Sequence, residues 1–534
     1  DGQELWVGLL GRFNAYNLLA VYGAAALLGL DRGEVLRVLS MLHAVSGRFE
    51  KIRAANGTTA IVDYAHTPDA LENVIQTIEE IRTPGQQLIV VCGCGGAGMA
   101  CAVEAKDNGV ENVLIIEKGD QIGGTTAMFQ GMIAGWDTQL QKSQGVELTY
   151  DAMYANLMNN ASYHLDPALT KITVENSGKT IDWLIDRVGV KFTDQIDIYY
   201  GPLQMMHNVD GAGGGFVTAF TACLDQLGVE IQKLVEVLLD AEGKTEGAVV
   251  EAKGKTQRIK ARAVMIATGG YAHNAELAAR FDPEKAGTFG IGHPNCEGEG
   301  LVAASNAGAL LSHTNDMMCV VKDYTIMSEH DGTSASANLN GFTNLPNMIL
   351  VGADGKRFVD ESKKGFMSQD LNGPIFDKIH RDGMGYVWEI SDEATVAAAG
   401  GKVKRGEGLE YIKGADATEL AANMGVDAAA LAETIEAYNA AVDSGVDREI
   451  GGFPTAKLEA PFLAVPVVPC EIITYGGVAR TEQGEVIRAD GEVMPGLFVG
   501  GEASCNSAYM GFTLSNCFTW GRIGAQSAAA YLKA

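Results

Sequence analysis

Residues 86–118 read QQLIVVCGCGGAGMACAVEAKDNGVENVLIIEK and carry the signals of a complete βαβ unit. An apolar, β-branched run at 88–91 has the length of a strand, and a second apolar run follows at 113–116. The small residues at 97–106, between the two runs, favour a helix. Three glycines spaced G-x-G-x-x-G separate the first strand from that helix, and they are Gly93, Gly95 and Gly98.

The glycine spacing and the acid that follows it predict a dinucleotide site. Gly93 permits a tight turn, Gly95 lets the backbone approach a pyrophosphate, and Gly98 lets the helix pack against the strand. The helix N-terminus would present free N–H groups and a partial positive charge to phosphates. Glu117, 19 residues after Gly98, is placed to accept hydrogen bonds from a ribose. Glycine turns also occur in folds without a nucleotide, so a purely structural turn is the alternative.

Composition limits the classes of partner. The chain has 534 residues, which suggests roughly two to four domains, and 47% of them are hydrophobic. The net charge of −27 disfavours nucleic acid and anionic membrane surfaces. No apolar run reaches the roughly 18 residues of a transmembrane helix, so we expect no membrane span. The shorter apolar run at 18–30 predicts a buried helix.

The nine cysteines are scattered and include no C-x-x-C pair. Cys92 and Cys94 flank the glycine turn, and we interpret them as small apolar residues, with a redox or metal-binding pair as the alternative. An odd number of scattered cysteines suits a reducing compartment, so we expect a cytoplasmic protein. The histidines are also scattered and predict no metal site. The chain begins at Asp1 without a basic leader, so we expect no signal peptide, and the lack of Met suggests a missing natural N-terminus.

Residues 1–85 have a different pattern from the rest of the chain. They contain GRFNAYN at 11–17, SGRFE at 46–50 and IVDYAHTPDAL at 61–71. These motifs resemble a fragment of the Mur ligases, specifically the UDP-N-acetylmuramoyl-tripeptide synthetases. The resemblance implies that four residues would lie near ATP, namely Asn14, Asn17, Asp63 and His66.

An ATP-dependent Mur ligase is therefore an alternative function, but the sequence argues against it. The chain has no G-x-x-x-x-G-K-[ST] loop, so nothing would cradle the ATP phosphates. We interpret residues 1–85 as a ligase remnant that is joined to a part of an unrelated protein. The junction would be the strand and glycine turn described above, because the Mur ligases also have a strand followed by G-x-G-G at this point.

Six further motifs follow in order. They are GGTTA (123–127), AVMIATGG (263–270), CEGEG (296–300), GKRFVDES (355–362), YGGV (475–478) and PGLFVGGE (495–502). With the glycine turn, they resemble the flavoprotein superfamily of soluble fumarate reductases, succinate dehydrogenase flavoprotein subunits, urocanate reductases and 3-ketosteroid Δ1-dehydrogenases. The resemblance covers residues 87–534.

This resemblance implies an α/β fold, in which a discontinuous Rossmann-like FAD-binding domain carries an inserted α+β cap domain. We place the Mur-ligase-like fragment at 1–85 and the first part of the FAD-binding domain at 86–279. The cap, which would hold the substrate, is expected at 280–469. Residues 470–534 would complete the FAD-binding domain.

The resemblance also implies which residues hold FAD. Glu117 would bind the adenosine ribose, and Glu502 the ribitol. Leu514 and Ser515, at a helix start, would bring N–H groups to the flavin pyrimidine edge, where negative charge develops on reduction. The other residues expected along the cofactor are Gly93, Gly95, Gly98, Lys118, Gly124, Thr125, Thr126, Thr268, Gly269 and Glu299.

The polar groups that bind a C4 dicarboxylate in fumarate reductases are missing from this sequence. Gly365 stands at the position of the arginine proton donor, and the other three positions hold Asn344, Ile473 and Ala508. An unpaired dicarboxylate buried under a closed cap would be very unfavourable, so we do not expect fumarate as the substrate.

Other residues are candidates for the catalytic groups. Tyr509, in the loop before the flavin helix, is the first candidate for proton donor or carbonyl binder. Lys364, beside the vacant donor position, and His330 are the next candidates, and Tyr475 precedes a glycine turn. Gly511 matches the glycine whose N–H polarises the carbonyl in ketosteroid dehydrogenases. The alternative reading of each is structural, because tyrosines beside glycine loops often pack and lysines in charged loops are often solvated.

We therefore predict an FAD-dependent oxidoreductase that transfers a hydride between flavin N5 and a C–C bond next to a carbonyl. It would act as an ene-reductase or a dehydrogenase on an unsaturated acid or an enone. No haem-attachment motif or NAD(P)H domain is evident, so we expect a separate electron-donor protein. A flavin-binding protein with impaired catalysis is the alternative, because the donor position is vacant.

Overall fold

The computed structural model describes residues 12–28, 31–40, 50–53, 59–62, 88–161, 164–198, 202–239, 245–252, 255–330, 341–342, 345–363, 369–400, 409–506 and 512–534. Its strands are β1 (Glu50–Arg53), β2 (Thr59–Val62), β3 (Leu88–Cys92), β4 (Asn112–Glu117), β5 (Met132–Ala134), β6 (Phe192–Ile198), β7 (Gln204–Val209), β8 (Glu230–Leu239), β9 (Thr245–Ala252), β10 (Lys255–Lys260), β11 (Ala263–Ile266), β12 (Phe289–Gly290), β13 (Leu311–Ser312), β14 (Met317–Asp323), β15 (Ile349–Val351), β16 (Val387–Asp392), β17 (Ile412–Gly414), β18 (Phe462–Thr474), β19 (Gly477–Val478), β20 (Glu485–Ile487) and β21 (Val493–Val499).

The α-helices are α1 (Arg12–Leu27), α2 (Arg32–Ser40), α3 (Gly96–Asp107), α4 (Gly124–Met128), α5 (Gln139–Ser143), α6 (Tyr150–Asn160), α7 (Pro167–Trp183), α8 (Ala212–Gln226), α9 (Ala275–Phe281), α10 (Glu299–Asn306), α11 (Tyr324–His330), α12 (Gln369–Asp382), α13 (Glu393–Ala399), α14 (Ala417–Met424), α15 (Ala428–Ser444) and α16 (Phe512–Lys533). A π-helical turn, Leu184–Val188, continues α7. Short 3-10 turns occur at Pro283–Lys285, Glu361–Lys363 and Gly501–Ala503.

The largest sheet has eight strands in the order β10-β9-β8-β4-β3-β11-β21-β20. Its five middle strands, β8, β4, β3, β11 and β21, pair in parallel, and β9, β10 and β20 are antiparallel. Ile89 and Val91 face one apolar core with residues of α3 and α16, and Val90 and Cys92 face a second core on the other side. Burial on both faces explains why these strands read as continuous apolar runs.

A second sheet is built around the long strand β18. It has the order β12-β18-β16-β15, and β14 and β17 also pair with β18. Apolar clusters cover its two faces, and one of them contains Leu420 of α14 and Leu431 of α15. The two sheets and their helices confirm the predicted α/β class.

Aspartates begin several helices around these sheets. The side chains of Asp166, Asp392, Asp416 and Asp427 each accept a backbone N–H from the first turn of α7, α13, α14 and α15 respectively. Such caps satisfy N–H groups that have no partner within the helix. Within the described ranges, no helix is both long enough and apolar enough to cross a membrane.

The prediction of a buried helix at residues 18–30 is wrong. The helix there, α1, buries Leu18 but leaves Leu19 at 64% exposure and Leu27 at 91%. Its nearest regular elements in the chain are α2 and the antiparallel hairpin of β1 and β2. An apolar sequence is buried only where other elements cover it, and the periodicity of one helix does not reveal its cover.

Candidate cofactor-binding site

The parallel strands of the eight-stranded sheet end at an open cleft. The cleft lies beyond the carboxyl ends of β4, β3, β11 and β21, the usual place for a ligand in a sheet of this kind. The predicted cofactor residues that line it are Gly93, Gly95, Glu117, Lys118, Gly124, Thr125, Thr126, Thr268, Gly269, Glu299 and Glu502. The structure thus brings together residues from segments more than 380 positions apart in the chain.

Two of the three motif glycines are required by the protein's own backbone. Gly93 has φ +99°, and its N–H donates to the carbonyl of Ile116 at 2.7 Å. A Cβ on Gly93 would lie 2.3 Å from the carbonyl oxygen of Ala267. A Cβ on Gly98 would lie 1.9 Å from the carbonyl oxygen of Gly93, so Gly98 lets α3 pack against the turn. Gly98 itself lies behind the cleft rather than in its lining.

Gly95 differs because no protein atom requires it to be glycine. Its φ is −77°, which any residue adopts, and the nearest atom to an added Cβ is the Gly123 oxygen at 3.8 Å. The missing side chain therefore leaves space in the cleft at the N-terminus of α3. Gly96 donates its N–H to Thr126 Oγ1 at 3.1 Å, which ties the second glycine turn to the first. This cradle fits a diphosphate, since helix N-termini bind anions through N–H groups.

The Glu117 carboxylate is fixed at the end of β4. Its Oε2 accepts the N–H of Cys94 at 2.6 Å, and its Oε1 accepts that of Gly119 at 2.8 Å. Next to it, the Lys118 ammonium pairs with Glu297 and Glu299. Burial lowers the pKa of Lys118, but the two carboxylates outweigh it and the pKa is raised. Lys118 is thus a neutralised cation at the cleft edge.

Several lining residues were missed by sequence reasoning. His293, Asn295 and Cys296 come from the segment between β12 and α10, and Cys517 comes from α16. Cys296 Sγ lies 3.3 Å from Thr125 Oγ1, the closest contact of this set with a predicted residue. No spacing rule marks such residues, because the first three are placed by a loop that returns to the glycine turn.

The Thr268 hydroxyl is a buried polar atom without a hydrogen-bond partner in the described part of the chain. Thr268 follows β11 and lines the cleft. Buried hydroxyls are nearly always paired, so an orphaned one on a residue that lines a cleft points to a ligand group at that residue. With the space at Gly95, it shows that the residues present fit a dinucleotide.

Glu502 lies at the other end of the cleft, in the turn that follows β21. It is 7% exposed, and it accepts the N–H of Thr474 at 2.9 Å and the Thr474 hydroxyl at 3.3 Å. Burial raises the pKa of Glu502 to about 7, against the opposing effect of the two Thr474 bonds. The cleft thus runs from a carboxylate on β4 to a second carboxylate beyond β21.

Leu514 and Ser515 are the third and fourth residues of α16, which begins at Phe512. Both side chains are buried, and the Ser515 hydroxyl donates to the carbonyl of Ala134. Their backbone N–H groups lie in the first turn of α16, the end of a helix that carries partial positive charge.

The structure describes few of the candidate catalytic residues. Tyr509, Gly511 and Lys364 lie outside the described residues, and so do Asn344, Gly365 and Ala508. His330 ends α11, and only its backbone is described. Ile473 is buried in an apolar cluster, and the buried Tyr475 directs its hydroxyl at Met318 Sδ, 3.2 Å away.

The RFVDE motif has a structural role in this chain. Arg357 Nη2 lies 2.5 Å from Glu361 Oε2, and its Nη1 lies 2.6 Å from Asp447 Oδ2. The guanidinium also lies over the Tyr438 ring, 4.9 Å from its centroid. Burial lowers the pKa of Arg357, but the two carboxylates reverse the shift and raise it. The motif therefore clamps distant segments together instead of facing the cofactor cleft.

All nine cysteines are free. Cys92 and Cys94 are fully buried, and burial raises the pKa of both thiols well above its usual range. They pack as small apolar residues, as predicted. Across the residues that the structure describes, no cluster of His, Cys, Asp and Glu side chains could hold a metal ion.

Comparison with known proteins gives two separate similarities. The Mur ligase glutamate ligase domain matches residues 47–126, and the FAD binding domain matches residues 89–515. A stretch of 96 residues is 60% identical to UDP-N-acetylmuramoyl-L-alanyl-D-glutamate–2,6-diaminopimelate ligase of Parabacteroides distasonis, which covers 18% of this chain and 20% of that ligase. The two matches overlap at the glycine turn, where the sequence predicted a junction.

The remainder resembles flavoproteins. Fumarate reductase (cytochrome) of Shewanella frigidimarina is 30% identical over 461 residues, covering 83% of this chain and 77% of that protein. The crystal structure of 3-ketosteroid Δ1-dehydrogenase from Sterolibacterium denitrificans has the same fold, with a TM-score of 0.68 at 18% identity, covering 83% of this chain and 99% of that one. The family match spans most of the chain and its cleft fits a dinucleotide, so the chain belongs to the FAD binding domain family and is an FAD-dependent oxidoreductase.

Proposed function

We propose that the protein transfers a hydride between FAD and a carbon of a C–C bond next to a carbonyl, acting as an ene-reductase or a dehydrogenase. The supporting observation is that one cleft joins Glu117, the glycine turn, Thr268 and Glu502, in a chain whose relative is a fumarate reductase. When bound, FAD supplies the hydride chemistry at its N5 atom.

The chain's own residues would bind and orient the cofactor. Glu117 would accept hydrogen bonds from the adenosine ribose, and the N–H groups of α3 would face the pyrophosphate. Glu502 would bind the ribitol. The N–H groups of Leu514 and Ser515, at the start of α16, would face the pyrimidine edge and stabilise negative charge there.

The substrate we propose is an unsaturated monocarboxylic acid or an enone, not fumarate. Gly365, Asn344, Ile473 and Ala508 stand where fumarate reductases bind a dicarboxylate, and none of them carries a charge. Ile473 lies among apolar side chains. A second carboxylate would therefore be buried without a partner, at a cost of several kcal/mol.

The experiment is anaerobic reoxidation of the dithionite-reduced protein by a panel of acceptors. We expect fumarate to fail at high concentration, while an aromatic-conjugated acid or an enone restores the absorption of oxidised flavin. Reoxidation by fumarate would overturn the substrate assignment. No reoxidation by any member of a wide panel would instead favour a flavin-binding protein with impaired catalysis.

Tyr509 is the proton donor that we propose, because in the sequence it comes three residues before the start of α16 and two before Gly511, whose N–H would polarise the substrate carbonyl. Removal of the hydroxyl in Tyr509→Phe should slow substrate-dependent reoxidation roughly 10²–10⁴-fold and leave FAD binding intact. If Tyr509→Phe is fully active and Lys364→Met is not, the donor role passes to Lys364. His330 is the third candidate.

The domain division remains part of this proposal. We propose a Mur-ligase-like fragment at 1–85, FAD-domain parts at 86–279 and 470–534, and a cap at 280–469 that carries the second sheet. Electrons would come from a separate protein, and we propose a cytoplasmic location from the scattered cysteines. Reduction of the bound flavin by NADH or NADPH alone would contradict the need for a donor protein.

A further inference from the structure

Arg480 is a deeply buried arginine that forms no ion pair with a carboxylate among the residues that the structure describes. It is 3% exposed, and it follows β19 by two residues. Its Nη2 lies 3.4 Å from Asn516 Oδ1, but Nε and Nη1 have no hydrogen-bond partner among the described residues. The guanidinium lies over the Trp520 ring, 3.9 Å from the centroid. A cation–π contact offsets only part of the desolvation of a buried charge.

Two other arginines also lie over aromatic rings, but each of them pairs with a carboxylate as well. Arg357 lies over the Tyr438 ring and pairs with two carboxylates. Arg522, on the same helix as Trp520, lies over the Trp183 ring, and its Nε is 2.7 Å from Glu104 Oε2. No ion pair of Arg480 occurs within the described ranges, so its positive charge is not cancelled at close range.

Arg480 is linked through its neighbours to residues that line one end of the cofactor cleft. Val478, two residues before it, accepts the N–H of Cys505, which anchors β19 to the segment after Glu502. Its partner Asn516 is adjacent to Cys517, and both Glu502 and Cys517 line the cleft. The opposite end of the cleft holds Glu117, the ribose acid. Because adenosine belongs at the Glu117 end, the flavin belongs at the end that Arg480 supports.

We propose that Arg480 is a positioning residue that sets the redox potential of the bound FAD, by holding an uncompensated positive charge behind the flavin end of the cleft. Reduction takes up two electrons and one proton and leaves the flavin with one negative charge. That charge would be stabilised by Arg480 together with the N-terminus of α16. The inference needs only the cofactor, and it does not depend on the substrate.

The groups that face Arg480 leave its charge in place. They are Cys505, Cys517 and Asp166. Burial raises the pKa of the Cys517 thiol to about 12 and also raises that of Cys505, so both thiols are neutral. The Asp166 carboxylate accepts the N–H groups of Ala168 and Leu169 at the start of α7. Burial lowers the pKa of Arg480 to about 10, which leaves it protonated at neutral pH.

The test is the midpoint potential of the FAD-loaded protein, measured by slow reduction beside a reference dye. Arg480→Met removes the charge and keeps the bulk, and Arg480→Lys keeps the charge. We expect the Met variant to be at least tenfold harder to reduce at a given potential, a negative shift of about 30 mV for a two-electron couple. The Lys variant should stay near the wild-type potential.

Arg522→Met is the matched control, because Glu104 already neutralises Arg522 on the same helix. It should lower the melting temperature without moving the potential. If Arg480 were only a brace for α16, both Met variants would be less stable and neither would change the potential, which would overturn the proposal. If Arg480→Met does not fold, Asn516→Asp provides a second test, because it pairs the Arg480 guanidinium with a carboxylate. We expect Asn516→Asp to shift the midpoint potential negatively. An unchanged midpoint potential would refute the role of Arg480 in setting it.

Discussion

Two apolar helices of this molecule have similar compositions and opposite environments. Helix α1 is rich in Leu and Ala, yet Leu19, Val21 and Leu27 are more than half exposed. Helix α3 consists mostly of Gly, Ala and other small residues, and it is buried from Gly96 to Ala105. The parallel sheet covers one side of α3, and α16, more than 400 residues later, covers another. Cover from distant segments, not composition, separates the two helices.

Sequence identity does not predict this difference. The ligase-like part of the chain is 60% identical to a ligase over 96 residues, but those residues are only a fifth of that ligase's length. The flavoprotein part is 30% identical to its relative and covers 77% of it. High sequence identity by itself does not bury an apolar helix, since a helix owes most of its stability to tertiary packing.

The sharpest test of the comparison exchanges one glycine in each helix for alanine. Gly98→Ala places a Cβ 1.9 Å from the Gly93 carbonyl oxygen, whereas Gly23→Ala in α1 meets no atom within 4 Å. We expect Gly98→Ala to lose about 3 kcal/mol of unfolding free energy or more, together with its flavin. Gly23→Ala should be neutral or gain up to about 1 kcal/mol. Urea unfolding and flavin content measure both effects, and equal losses would refute the comparison.

Gly95→Val separates the fold from the cofactor. The protein has room for a Cβ at Gly95, but that room is the cleft itself. We expect a folded protein without bound FAD, as shown by the absorption spectrum, with a melting temperature close to that of the wild-type apoprotein. Gly214→Val, at an open position in α8, is the matched control and should retain FAD. A yellow, fully loaded Gly95→Val protein would show that the pyrophosphate binds elsewhere.

Burial of a polar group without a partner lowers the free energy of unfolding, and Glu471 of β18 is such a group. Its side chain is fully buried, and neither carboxylate oxygen has a hydrogen-bond partner in the described structure. Burial raises the pKa of Glu471 to about 8, with a smaller opposing effect of Lys285. The folded protein therefore binds this proton more tightly than the unfolded chain, so the stabilising contribution is present below about pH 4.5 and is lost as pH rises toward 8.

Glu471→Gln removes this titration. We expect the variant to be more stable than the wild type by about 1–3 kcal/mol at pH 9 and nearly equal to it at pH 5, in urea unfolding of the FAD-loaded protein. Glu436→Gln, at an exposed position of α15, should change stability by the same small amount at both values of pH. A pH-independent effect of Glu471→Gln would show that the carboxylate is ionised and paired.

The smallest effect is expected from deletion of the ligase-like segment. Deletion of residues 1–80 removes α1, α2 and the β1–β2 hairpin, none of which lines the cofactor cleft. Flavin content and the rate of substrate-dependent reoxidation should remain nearly unchanged. Loss of flavin on deletion would mean that the ligase-like segment has become part of the flavoprotein fold.

Much of the cofactor site was predictable because its signals are local. The glycine spacing, the strand before it and Glu117 after it lie within about 30 residues, and the GGTTA and PGLFVGGE motifs are equally compact. His293, Asn295 and Cys517 carried no such signal, and Cys296 stood only at the start of the CEGEG motif. Sequence spacing also could not show that Arg357, within a family motif, is engaged in a structural ion-pair cluster.

Local order along the chain was therefore enough for the βαβ unit, the FAD family and most residues of the cleft, because backbone turns and strand ends follow from neighbouring residues. Long-range packing settled the rest. It buried α3 and exposed α1, and among the described residues it left the Thr268 hydroxyl, the Glu471 carboxylate and two nitrogens of Arg480 buried without hydrogen-bond partners. Burial and charge compensation depend on which distant segments meet at a point, and the identity of a residue does not contain that information.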